Sequence, residues 1–493
     1  RGWHHGHVAA TRSARAREIL TELMPDLLRA LADQRDPDAA FRRFDAFLSS
    51  LPAGVQLFSL FYANPQLLRL IAVIMGTAPR LAERLAGSTR LFEAMLTPDF
   101  IEELPARAAL AAELDETLAA ARSTEDLFDR ARVWAQARQF QVEFLVLTAR
   151  LSAHGGLDQL TAIADLLLER LLGPVEDWLA ETHGRVPNGR FAVLGMGKLG
   201  SRELTIGSDL DLVFVFDAPA DAKSDGAKPL APGTYYARLS QRVISALAAP
   251  TAEGRLFEID MRLRPSGNAG PVACSLASFD GYQRRTAQIW EHQALSRARP
   301  VAGEPSLCRE LETIITEVLT AERDRDALAR EVAAMRARIF REHGKRAPFE
   351  LKHHPGGVVT MEFLAQYLVL AHAAAHPSLL HRTTEEVFVE AGRLDLLEAD
   401  EAATLVRALR LNHALAAVVR LTVDARFEPA DAPETLQAAL LAAAQAALED
   451  DQACIDTATL TRELEAGQAA VAALFARRVG PFLPEDTTAA ASP

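Results

Sequence analysis

A chain of 493 residues, 49% of them hydrophobic, has enough apolar side chain for roughly two to four domains with buried cores. A formal net charge of −13 without a long basic stripe argues against a surface made for nucleic acid, because neutralising phosphates takes clustered Lys and Arg. Alanine and leucine dominate while aromatics are 6%, a mix that favours helices. Cys274, Cys308 and Cys454 lie far apart with no CxxC spacing and fit reduced thiols of a cytoplasmic protein. No charge-free apolar run of about 18 residues predicts a membrane span, and no signal peptide is expected. His4, His5 and His7 read as a solvated terminus.

In chain order, 11–172 reads as helix after helix. Stretch 14–31 places apolar residues at helical spacing with arginines opposite. Phe41, Phe44, Phe47 and Leu48 repeat the pattern until 52–54 breaks it. Another helix is predicted over 55–62. Asn64 is set to cap one starting at Pro65, where 67–75 is apolar enough to be buried all round. Helices follow over 80–95, 107–122 and 124–150, with Trp134 and Phe140 as core residues. His154-Gly155-Gly156 is expected to end that run, and a helix over 157–172 leads to Pro174.

The turn-rich stretch 184–190 marks a boundary, after which the pattern changes. Strands are expected at 191–194 and 209–216, a polar loop at 217–233 and an amphipathic helix at 234–249. Over 255–263, Phe257, Ile259, Met261 and Leu263 alternate with Glu258, Asp260 and Arg262, as in a half-buried strand. A turn over 265–270 leads to a further strand at 271–276. Helices return at 310–319, 324–343, 361–375, 384–391, 401–411, 436–448 and 457–479. The predicted class is α+β: a helical region 1–183, a mixed unit 184–304, a C-terminal helical bundle 305–480 and a frayed tail 481–493. There is no repeat of constant period.

The chemistry concentrates at 195–217. Gly195, Gly197 and Gly200 let backbone approach a ligand, Lys198 adds a point charge and Ser201 offers a hydroxyl. A helix beginning near Leu199 would aim its amides at a triphosphate. Asp209 and Asp211, at i and i+2 of a strand, share a face. Two carboxylates that close repel unless a cation stands between them, and hard oxygen donors suit Mg²⁺, which completes its shell with phosphate oxygens and water. Asp260 is the candidate third acid, with Arg262 and Arg264 beside it for phosphate oxygens. The implied reaction is nucleotidyl transfer, an acceptor oxygen attacking the α-phosphorus of a nucleoside triphosphate. Gly-x-Gly-x-x-Gly at 195–200 also opens dinucleotide folds, with Asp217 as the acidic residue. Against that stand two facts: the acidic pair starts the second strand, and no long helix separates the strands.

Leu199-Gly200-Ser201 followed by a strand Asp-x-Asp resembles the nucleotidyltransferase superfamily that includes DNA polymerase β. The longer stretch GMGKLGSRELTIGSDLDLVFVFD is similar to bacterial glutamine synthetase adenylyltransferase, the bifunctional adenylyltransferase/adenylyl-removing enzyme. LPAGVQLFSL (51–60), YYARLSQRVISAL (235–247), FEIDMRLRPSGNAGPVA (257–273), WEHQALSRAR (290–299) and LKHHPGG (351–357) extend the resemblance over most of the chain. That family has two homologous halves, one attaching AMP from ATP to a tyrosine hydroxyl of glutamine synthetase, the other removing it by phosphorolysis. The opening TRSARAREIL and the form DMRLRPSG look like the C-terminal, adenylylating half.

The resemblance implies a polymerase β-like sheet domain in the middle of a mostly helical chain. It implies a metal site at Asp209, Asp211 and Asp260. It sets Gly200 and Ser201 against the triphosphate; with Gly197, Lys198, Ser208, Arg262, Arg264 and Lys352 they make up the expected ATP-binding set, with Mg²⁺ as cofactor. Glutamine synthetase would be the protein substrate, and PII signal protein and glutamine the regulators. One position departs. Where the family reads Gly-Gly-x-Val-Asp-Ile-Glu-Phe, this chain has Thr360 in place of the acid, while Glu362 is kept. If that acid serves nucleotide or metal, the site is weakened. Three readings follow: the transferase, the phosphorolytic sister activity sharing the same motif, and a non-catalytic nucleotide- or partner-binding module whose support is Thr360.

Overall fold

The computed structural model describes residues 2–34, 36–63, 65–87, 91, 100, 104–251, 253–343, 347–422, 429, 432, 434–449 and 454–483. The cap expected at Asn64, residues 88–90 and 92–95 of the helix expected over 80–95, and the tail from 484 lie outside them. The chain forms two compact units: residues 1–104, 136–153 and 414–463, and residues 105–135, 154–413 and 464–493.

The first unit is helical. Ser13 caps Ala14–Ala32 by accepting the Ala16 N–H at 3.1 Å, and Asp36 caps Pro37–Ser50 from Ala39 at 2.8 Å, with Pro37 in the first turn. Helices Val55–Ala63, Pro65–Thr77 and Pro79–Gly87 follow. Leu20, Phe44, Phe47, Phe58, Phe61, Ile71 and Ile74 fill the space between them. The apolar spacing read from sequence is thus the spacing of one buried face.

Ala153–His183, all but its first residue in the second unit, is one helix of 31 residues, although Gly155-Gly156 and Pro174 were expected to bound a shorter one. The glycines fall in the first turn. The one ladder bond that Pro174 forfeits is outweighed by a buried stripe of Leu160, Ile163, Ala164, Leu167, Leu171, Val175 and Leu179.

Five strands form the sheet: β1 (Arg190–Gly195), β2 (Leu210–Asp217), β3 (Ile259–Asp260), β4 (Ala273–Ser275) and β5 (Arg299–Gly303). β1 pairs antiparallel with β2 on one side and with β5 on the other. β3 and β4 lie one after the other, both parallel, along the far edge of β2. The antiparallel pairing of β1 and β2 excludes the dinucleotide reading, which needs parallel strands joined through a crossover helix.

Two expectations are corrected here. The alternation over 255–263 is not one strand: only Ile259 and Asp260 pair, because the Asp260 side chain takes the Arg262 N–H at 2.8 Å and the chain turns. β5 carries Pro300 and a Gly303 at φ +130°, features that hide an edge strand from a pattern search.

Both faces of the sheet are covered. On one, Tyr236 of the helix Pro232–Ala248 stacks on Phe191 (5.6 Å) and Phe216 (4.8 Å), which are register partners. On the other, Ala192, Leu194, Val213 and Val215 join a core with Leu307, Leu311, Ile315, Val332, Met361, Leu364, Phe388, Leu405 and Phe475. That core runs across 304/305, where the sequence predicts a domain boundary. By length and composition, Ala399–Thr422 is the single straight helix among the described residues that could cross a membrane; its Leu405, Leu409, Leu415 and Val418 are buried in the protein.

Candidate active site

Asp211 shares the β2 face of Val213 and Val215, since side chains alternate along a strand. In the parallel pairing it stands opposite Asp260, so the two carboxylates are cross-strand neighbours. Asp209 lies just before β2 and is exposed. Asp211 feels the other two acids. The Asp211 carboxyl is pushed up to about 6, first by burial, then by the negative charge of Asp260; Arg297 opposes this, Asp209 adds to it and Arg262 opposes it. Asp260 also feels burial, but Arg262 overrides it and holds its carboxyl below the usual range. Arg262 Nε donates to Asp260 Oδ2 at 2.8 Å and its backbone N–H to Oδ1 at 2.8 Å.

A crowded, partly buried set of carboxylates is the arrangement a hard divalent cation relieves, so the donor chemistry fits Mg²⁺. Among the described residues, no three His, Cys, Asp or Glu side chains stand at metal-holding positions; Asp260 is turned to Arg262 instead.

The glycine turn is shaped by these groups. Gly197 has φ +52°, and a Cβ there would come within 2.3 Å of Asp211 Oδ2, so only glycine leaves the carboxylate its place. A Cβ at Gly200 would meet the Arg297 carbonyl oxygen at 1.9 Å. The helix starting here is a four-residue piece, Gly197–Gly200. Ser201 is buried; its hydroxyl donates to Gly197 O (3.2 Å) and accepts from Arg297 Nη2 (2.7 Å), so its proton is already used. Lys198 Nζ donates to Thr205 Oγ1 at 3.0 Å, and Thr205 and Ser208 hydroxyls are 2.5 Å apart.

Other predicted contributors stand elsewhere. Arg264 donates to Met261 O (2.7 Å) and Gly270 O (3.3 Å), bracing the turn after β3. Lys352 is exposed, and no hydrogen bond or ion pair among the described residues joins it to the aspartates. Thr360 is fully buried: its Oγ1 accepts from Arg336 Nη2 (2.9 Å), Arg336 Nε (3.2 Å) and the Gly356 N–H (3.1 Å). Position 360 therefore faces a buried guanidinium.

Arg297 and Arg299 received no role from sequence. Arg299 Nη2 contacts both Asp165 oxygens (2.8 and 2.9 Å) and the Leu199 carbonyl (3.0 Å), and its Nε donates to Gly200 O (3.2 Å). The signal was present: a tight turn of four helical residues leaves carbonyls unanswered, and two arginines at i and i+2 lead into β5.

Residues 68–314 match the glutamate-ammonia ligase adenylyltransferase family, and the chain belongs to that family of nucleotidyltransferases. It is 44% identical over 440 residues to a bifunctional glutamine synthetase adenylyltransferase/adenylyl-removing enzyme of Rhizobium meliloti (strain 1021), covering 88% of this chain and 44% of that protein. Proteins of the same name from Xanthobacter autotrophicus (42% over 479 residues; 97% and 48% covered) and Brucella suis biovar 1 (45% over 428 residues; 86% and 43% covered) are similar. The chain spans about half the length of the curated relatives it matches.

Proposed function

We propose that this chain transfers AMP from ATP to a tyrosine hydroxyl of glutamine synthetase, releasing pyrophosphate, with 184–304 as the polymerase β-like catalytic core. The observation that carries this reading is the register pairing of Asp211 with Asp260 beside the glycine turn, in a chain of the adenylyltransferase family. Asp209, Asp211 and Asp260 would hold Mg²⁺, which when bound neutralises charge on the phosphate oxygens. Gly197, Gly200 and Ser201 shape the turn against which the triphosphate rests. Lys198, Ser208 and Arg262 line its approach, and Arg262 is free to exchange its carboxylate for a phosphate because its side chain is 76% exposed. Arg264 and Lys352 act from further out, by holding the 261–270 turn and by long-range charge. PII signal protein and glutamine are proposed regulators, and the cytoplasm the proposed location.

The relatives' name joins two activities and this chain covers about half of them, so phosphorolytic de-adenylylation is the second reading. Incubation with unmodified glutamine synthetase and ATP labelled at the α-phosphate separates the two. Label on the synthetase supports transfer. Release of ADP from pre-adenylylated synthetase by phosphate, without labelling, overturns it. Asp211→Asn is expected to lower transfer at least about a hundredfold.

A further inference from the structure

Between helix Ile289–Leu295 and β5 lies a guanidinium that the proposed chemistry does not use. The Arg297 side chain is only 11% exposed, and three parts of the chain converge on it. Nη2 donates to Ser201 Oγ at 2.7 Å and to Glu203 Oε2 at 3.2 Å, and Nη1 lies 3.0 Å from Glu362 Oε1. Glu203 is in turn held by the Thr384 N–H (3.0 Å) and hydroxyl (2.9 Å), at the start of helix Thr384–Arg393. Glu362 stands on helix Val358–His372. The Arg297 carbonyl closes over Gly200. One side chain thus ties the glycine turn to two helices some 160 and more positions on in sequence.

We infer that Arg297 is the positioning residue of the glycine turn, fixing Ser201 and, through Glu203 and Glu362, the place of 197–201 beside Asp211. This rests on the transferase reading. The physical basis is the fork of the guanidinium. Its planar donors reach a hydroxyl and two carboxylates at once, and charge-assisted bonds of this kind hold geometry more firmly than neutral ones. Ser201, with its proton on Gly197 O and its lone pair on Arg297, has no freedom to rotate. Lysine keeps the charge but has no planar fork, so it cannot hold all three partners in this geometry. A misplaced turn weakens hold on the nucleotide more than it alters the bond-making atoms, which Arg297 does not touch.

The test is Arg297→Lys in the full chain, with steady-state transfer measured at varied ATP and folding checked by thermal denaturation. The KM for ATP should rise about tenfold while kcat changes less than about threefold. Ser201→Ala should raise KM as well, and the double variant should be no worse than R297K, because both remove one contact. A KM equal to the parent's, or effects that multiply in the double variant, overturns the inference. If R297K does not fold, Glu362→Gln takes its place, with KM expected to rise about threefold; an unchanged KM then overturns it. If the parent chain transfers no label, the transferase reading fails by itself. The positioning claim is then decided by equilibrium binding of ATP, and equal Kd for parent and R297K overturns it.

Discussion

Two buried arginines in the same unit answer the same electrostatic problem in opposite ways. Burial pulls the proton affinity of Arg297 down, but Glu362 and Glu203 more than reverse this, and the group ends above the ordinary arginine value. Arg336 is fully buried, yet no carboxylate among the described residues pairs with it. Its partners are the Thr360 hydroxyl, the His353 carbonyl at 3.4 Å and the face of Phe482, 4.6 Å from the guanidinium carbon. Its Nη1 has no partner, and burial alone pushes its pKa down to about 10, so it stays charged at neutral pH. Asp211 is the mirror case, an acid crowded by other acids. A buried charge is tolerated either by surrounding it with opposite charge or by delocalising it over a ring and neutral oxygens, and only the first arrangement stores a strong dependence on each partner.

The sharpest way to break the comparison is to remove each cation. Arg297→Met leaves Glu203 and Glu362 buried without their counter-ion, and a loss of about 3–5 kcal/mol is expected in urea unfolding. Arg336→Met removes an uncompensated charge and should be neutral or stabilising by about 1 kcal/mol. Equal losses at both positions would show that the carboxylates do not distinguish them.

Asp211 gives the next largest effect. Its folded pKa, pushed up to about 6, exceeds the ordinary value of 3.8, so the folded chain holds this proton more tightly than the unfolded one. Ionised Asp211 therefore costs stability, the cost growing as pH rises from about 4 to about 6 and constant above. In chelator at pH 7, Asp211→Asn should be more stable by about 1–3 kcal/mol, allowing for partial exposure, while losing transfer. The gain should vanish near pH 4. A variant less stable at pH 7 would mean that the carboxylate is already compensated.

The smallest effect tests Thr360. Thr360→Asp supplies Arg336 with the carboxylate its relatives are expected to carry, and should stabilise the chain by about 1–2 kcal/mol with little change in the KM for ATP. A changed KM with unchanged stability would return position 360 to the nucleotide site.

Much of the fold was legible because local pattern and tertiary demand agreed. The helices over Ala14–Ala32, Pro37–Ser50 and Arg325–His343 carry apolar spacing that needs no partner to be recognised. The 153–183 helix was misjudged because Gly155, Gly156 and Pro174 are breakers locally, and only the leucine stripe they interrupt decides otherwise. β5 and the shortness of β3 were hidden for the complementary reason: two to five residues with a proline or a glycine have no period to read. At the site, Asp209, Asp211 and Asp260 could be singled out from sequence because few chemistries want acids so spaced; of the three, the structure sets Asp211 opposite Asp260.

The sequence by itself determined the helical character of the chain, the strand pair around the glycine turn and the closely spaced acids Asp209 and Asp211, since these follow from residue type and near-neighbour spacing. Only the tertiary structure decided that the strands run antiparallel, that Asp260 stands opposite Asp211, that Arg297 and Arg299 brace the turn, and that Thr360 answers Arg336. Each of those depends on which distant segments share a buried volume, and in that volume a charge without a partner is costly enough to select its neighbours across more than a hundred residues of chain.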